Sequence, residues 1–214
     1  AILVPVIPRF AATVIRVVRH KGPPLTRRLD PRATDQGSVA TEAVRQTAID
    51  IAHTVFEALG QRFAPGAKPA AEALEAASAA LSDTREYVGA IRFTSPLSEA
   101  SRARHVATIH ALDHLARLVS VTAVAPPFSE YEDVAADTRS VLESMLRWSR
   151  DPEAPAPLVE TRQLAELGAE RRKSRRSETL QRAADGELPA AEVSVRLDAL
   201  LWFQDVTHHL WRLC

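Results

Sequence analysis

The residues in this chain whose types could do chemistry are seven histidines, several with carboxylates beside them. They concentrate in two segments, RHVATIHALDHLARL (104–118) and LDALLWFQDVTHHLWRLC (197–214). His208 and His209 are adjacent in sequence, so on a helix they point about 100° apart and cannot grip one ion as residues one turn apart would. His105 and His110 come closer to that requirement, and His110 and His114 meet it with a four-residue spacing. Two imidazoles leave a site incomplete, and no HExxH pattern or nearby cysteine completes it. Nucleophilic catalysis has less support still: there is no GxSxG turn, and the single cysteine is Cys214. Asp113 and Asp198 could act as acid or base, but Arg117 and Arg196 are placed to hold them in salt bridges. No enzymatic activity is expected.

These residues need helices to position them. Of the 214 residues, 46% are hydrophobic and 25% charged, which suits a chain that buries a real core. Ala, Leu, Arg and Glu dominate, glycine occurs only 7 times, and no stretch alternates with period two. The class read from this is all-α. Val44, Ala48, Ile51, Val55 and Leu59 step by three or four through a first helix, from about Thr41 to Gly60. Leu74, Ala77, Leu81, Thr84, Val88 and Ile91 do the same through a second. A third helix reaches about Val124, with Val106, Ile109, Leu112, Leu115, Ala116, Val119 and Ala123 expected inward. Val134, Val141, Met145 and Trp148 mark a fourth helix. A polar fifth carries Leu158, Leu164, Leu167 and Leu180. The sixth places Val193, Leu197, Leu200, Gln204, Thr207 and Trp211 on its inner face. The breaks between them are FAPGAKP (63–69), Ser95-Pro96, APPF (125–128), DPEAPAP (151–157) and DGELP (185–189).

The six helices divide as three and three. A shift of 88 residues lays Ile109 on Leu197, Leu112 on Leu200 and Leu115 on Phe203, and a shift of 90 lays Val44 on Val134 and Ile51 on Val141. Short connections favour antiparallel neighbours, so two antiparallel three-helix bundles are expected, over 25–125 and 126–214. Residues 1–24 form a separate entry segment. Pro5, Pro8 and Arg9 interrupt its apolar run, making it a poor membrane span. From Arg9 it reads as an amphipathic helix, with Arg9, Thr13, Arg16 and His20 opposite Phe10, Val14, Val17 and Val18. The cations Arg16, Arg19, Lys21, Arg27 and Arg28 follow, as expected beside a membrane.

Formal net charge is zero, 27 basic residues against 27 acidic, so no overall field favours nucleic acid. The one dense basic run, ERRKSRRSE (170–178), is expected to be a solvated helix face whose charges pair along their own helix. Trp202 and Trp211 are nine residues apart and cannot line one small pocket together. Burial against two neighbours is the expected use of such aromatics.

The succession of RRLDP (27–31), RHVATIHALDHLARL (104–118) and RLDALLWFQDVTHHLWRL (196–213) resembles PhoU-like domains. In particular it is similar to the cytosolic C-terminal region of bacterial sodium/phosphate cotransporters, whose closing helix carries LDALRW-like and HLWR-like ends. The resemblance implies two tandem three-helix repeats and a regulatory, non-enzymatic role in phosphate uptake. It also implies a membrane transporter domain as partner, in cis or in trans, and a place on the cytoplasmic face of the inner membrane. A free-standing PhoU-like phosphate-signalling or metal-binding protein is the alternative. PhoU proteins often hold metal through DxERxxD on the third helix of each repeat, and this chain departs from that pattern. LARLVS (115–120) offers Ala116 and Ser120, and FQDVTH (203–208) offers Gln204 and His208, while Asp113 and Asp205 fall out of register. No cofactor or metal is therefore expected, and Asp113 and His208 remain as the only candidate ligands. An apolar entry helix with no bilayer to bury it should find protein, so a homo-oligomer is expected.

Overall fold

The computed structural model describes residues 24–64, 70–94, 96–127, 131–151 and 153–214. Of the apolar entry expected over 1–24, residues 1–23 lie outside them. The described residues contain six α-helices and no strand, so the all-α expectation holds. They are α1 (Gly37–Arg62), α2 (Ala71–Ala90), α3 (Glu99–Ala123), α4 (Glu132–Arg150), α5 (Leu158–Ala184) and α6 (Ala190–Leu213). Among them no helix is long and apolar enough to cross a membrane.

Local chemistry starts and joins these helices. Ser98 caps α3, its hydroxyl accepting from the Ser101 N–H at 3.2 Å. Ahead of α1, Asp30 caps the single turn Pro31–Ala33, and the Tyr87 hydroxyl of α2 donates to the Asp30 carbonyl at 2.9 Å. That bond ties the entry of α1 to the end of α2.

α1 is the central element, touching α2, α3 and α4. Its whole expected stripe is buried, from Val44 to Leu59, and so are Ala40, Ala52, Phe56 and Ala58. Three neighbours demand more than one stripe. In α2, Leu74, Ala77, Leu81 and Thr84 are buried as expected, but Tyr87 takes the deep position at its C-terminal end where Val88 was read.

The pairings have a regular sense. α1 and α4 run antiparallel, with His53 against Ser149 and the Phe63 carbonyl that follows α1 accepting from Arg139. α3 and α6 also run antiparallel, with Val121 against Trp202 and His114 against His209. α1 and α3 lie parallel, the Arg62 guanidinium closing on the carbonyls of Thr122 and Ala123 at 3.0 and 2.9 Å. α4 and α6 lie parallel too, with Tyr131 near Phe203 and Met145 against Cys214. α2 covers α1 and α3, and α5 packs on α6 and α4. Buried side chains of α1, α2, α3, α4 and α6 join in one continuous core.

Buried threonines recur at these contacts. Thr84, Thr122, Thr138 and Thr161 each return their hydroxyl to the carbonyl four residues earlier, so a polar side chain is satisfied within its own helix.

α5 approaches α6 closely at Gly168, where an added Cβ would lie 2.9 Å from the buried Thr207 Oγ1. Gly168→Val is expected to destabilise by about 2 kcal/mol, because overpacking a tight contact forces the helices apart. Gly168→Ala puts only the Cβ into that contact and should cost less than Gly168→Val, its gain in helix propensity of about 1 kcal/mol offsetting part of the clash. Urea denaturation of the two variants would check the difference.

Three packing expectations are corrected. Val106 and Ile109 are 45% and 43% exposed and Ala123 is exposed as well, so α3 turns inward only between Thr108 and Thr122. On α6 the deepest side chains are Ala199, Leu200, Trp202, Phe203, Val206, Thr207 and Leu210, whereas Trp211 and Leu197 are only half-buried. The buried arc is rotated and widened because α6 meets α3, α4 and α5 together. The basic run of α5 pairs with other helices: Arg171 reaches Asp137 at 2.7 Å and Arg175 reaches Asp133 at 2.6 Å, both on α4, while Arg172 donates to Gln204 of α6. Three cations of that run therefore belong to a packing face.

Candidate functional site

The histidines read from sequence separate into different surroundings. His53 lies between α1 and α4, its Nδ1 2.8 Å from Ser149 Oγ and its Nε2 3.1 Å from Glu57. His105 stands edge-on to Phe93, ring centres 5.3 Å apart. His110 is exposed, and its four-residue partner His114 turns toward α6 instead.

At the seam of α3 and α6 three imidazoles converge. His114 Nδ1 lies 3.1 Å from His209 Nδ1. The His114 and His209 ring centres are 5.3 Å apart, His208 and His209 also 5.3 Å, and His114 and His208 6.1 Å. Trp211 stacks edge-on to His208 at 6.0 Å, and Arg212 lies over the Trp211 ring. Each helix contributes because His114 and His209 both flank a core leucine, Leu115 and Leu210, on the edge of the buried arc.

The protons on this pair can be assigned by elimination. Arg212 Nε can only donate, and it lies 3.5 Å from His114 Nε2, which must then accept. The His114 proton is left on Nδ1, where it donates to His209 Nδ1, and His209 carries its own proton on Nε2. Both rings are neutral in this arrangement. Burial pushes the His209 imidazole down to about 4, with His114 and His208 adding to the effect. Burial also lowers His114, and the Arg212 charge lowers it further.

The two candidate ligands, Asp113 and His208, both border this seam from opposite helices. Asp113 Oδ2 accepts from Arg117 Nε at 2.9 Å, the salt bridge expected from sequence, and Arg85 of α2 stands 3.8 Å from Oδ1. The Arg117 hydrogen bond holds the Asp113 carboxyl below its ordinary value. Asp205, the other out-of-register carboxylate, is raised by burial against the opposing pull of Arg172 and His208. Arg196 bonds Glu192 at 2.6 Å, whereas sequence had matched it to Asp198. Among the described residues no group of three or more His, Cys, Asp or Glu side chains could hold a metal ion.

Sequence reasoning missed the His114–His209 pair. The signal available was a histidine beside a core leucine in each of two helices, but only their antiparallel register brings the two together. Beside the seam, Trp202 Nε1 donates to the Val121 carbonyl at 2.8 Å and fixes that register one end away from the histidines.

A second concavity, of about 440 Å³, is lined by Tyr131, Arg175, Glu178, Thr179, Arg182 and Arg196. Its guanidiniums face Asp133, Glu187 and Glu192 in ion pairs, so the cleft holds little uncompensated positive charge.

Comparison with family models, with curated proteins and with solved structures finds no match to this chain.

Proposed function

We propose that the chain is a PhoU-like regulatory interaction domain linked to sodium-coupled phosphate transport, without catalytic chemistry of its own. The observation that supports this reading is that corresponding helices of the two trios share their directions, although α5 packs far more on α6 than α2 does on α3. The first helices, α1 and α4, pair antiparallel, the third helices, α3 and α6, pair antiparallel, and within each trio the first and third run parallel. Two tandem three-helix repeats, as the resemblance implies, would pack in this way. Val106 and Ile109, exposed on α3, add the apolar surface that an interaction domain presents to a partner. The apolar-then-basic segment over residues 1–24 supports a place at the cytoplasmic face of a membrane, next to a transporter domain. The test is the coding sequence upstream of Ala1. A series of long apolar spans there is the expected finding, and a start codon shortly before Ala1 would overturn the attachment in cis.

A further inference from the structure

We propose that the α3–α6 seam is a binding site for a borderline divalent transition cation, chelated by His114 Nδ1 and His209 Nδ1. The proposal does not depend on the transporter reading, and it uses none of the acidic positions through which the PhoU resemblance would bind metal.

The geometry is that of two ligands waiting for an ion. Metal–nitrogen bonds of about 2.0–2.1 Å place two imidazole nitrogens about 2.9 Å apart at a right angle and about 3.4 Å apart at the tetrahedral angle. The observed separation of 3.1 Å falls between those limits. The two nitrogens come from different helices fixed by a buried core, so a rotation of the two rings, turning each Nδ1 from its neighbour toward a shared ion, is the only rearrangement that binding needs. His208, adjacent to His209 on the same helix, points away from that edge, so water completes the shell.

The surroundings select the kind of cation. The donors are imidazoles, and Asp113 is committed to Arg117, so an oxygen-seeking ion such as Mg²⁺ or Ca²⁺ finds no shell here. Arg117 and Arg212 oppose any dication, which leaves ions with strong imidazole affinity: Zn²⁺, Ni²⁺ or Cu²⁺. Binding also moves one proton within His114. Its Nδ1 gives up the proton that now faces His209, and Nε2 takes one from water, so the ring stays neutral overall. The new Nε2–H then faces the Arg212 Nε donor at 3.5 Å. Arg212 thus holds His114 in the ion-free tautomer and works against the cation through its charge as well.

The experiment is calorimetric titration of the full, chelator-stripped chain with NiCl₂ and ZnCl₂ at neutral pH. Saturable binding of one ion per chain is expected. His114→Gln and His209→Gln should each weaken it by at least about tenfold, with circular dichroism confirming that helicity is kept. Arg212→Gln should strengthen it several-fold, an effect that loss of a merely structural contact would not produce. The double variant His105→Gln/His110→Gln should bind as the parent does. Absence of saturable binding, or binding that survives both His114→Gln and His209→Gln, would overturn the proposal.

Discussion

Trp202→Ala is expected to destabilise the protein by about 4 kcal/mol, the largest effect of any single truncation at the helix seams. The side chain is 5% exposed and sits where α6, α3 and the end of α1 meet. Its ring packs against Phe63 at 5.8 Å and Phe203 at 5.1 Å, and its indole N–H donates to the Val121 carbonyl at 2.8 Å. Truncating a large buried aromatic costs about 3–5 kcal/mol through lost transfer energy and the cavity that remains. The Val121 carbonyl, which also accepts from the Val124 N–H at 3.3 Å, loses the shorter of its two hydrogen bonds. Trp202→Phe keeps most of the volume and removes the donor, so it should cost about 1–2 kcal/mol. Urea denaturation of both variants separates packing from hydrogen bonding. Equal losses in the two would mean that the hydrogen bond, rather than ring volume, anchors the register.

Stability should fall by about 2 kcal/mol as pH drops from about 6.5 to about 4, and His209→Gln should remove most of that slope. His209 is pushed down to about 4 in the folded chain, mainly by burial. In that window the unfolded chain takes up a proton that the folded chain refuses, so stability is complete above the ordinary histidine value and declines below it. The full shift would correspond to about 3 kcal/mol, and partial solvent contact of the ring reduces it. His114, lowered by burial and by Arg212, acts in the same direction. The carboxylates held low by arginines, Asp113 and Asp133 among them, lose their contribution only as pH falls below about 4. Chemical denaturation in EDTA at a series of pH values, parent against His209→Gln, isolates the imidazole. Parallel curves for the two proteins would contradict the assignment.

The helices were legible because their apolar spacing is a local signal. The stripe of α1 and the first four stripe residues of α2 are buried as read. Where that signal misled, the cause was tertiary. Val106 and Ile109 continue the α3 stripe, but among the described residues no helix covers them, so they are exposed. Trp211 and Trp202 are equally apolar on paper, yet only Trp202 has an acceptor and two aromatic rings within reach. Arg171 and Arg175 of α5 have acids available on their own helix and bond Asp137 and Asp133 of α4 instead, a choice set by helix–helix docking. The candidate site was half legible. Asp113 with Arg117 could be read from a four-residue spacing and is found at 2.9 Å. His114 with His209 spans 95 positions, and no local pattern encodes it.

The candidate site, and the cation proposal built on it, depend on a neutral His114–His209 pair across the seam. Nitrogen-15 NMR of the histidine rings at about pH 7.5, in EDTA, reads it most directly. The expected spectrum has both rings neutral, His114 protonated at Nδ1 and His209 at Nε2. An imidazolium at either position at that pH, or a His114 proton on Nε2, would contradict it.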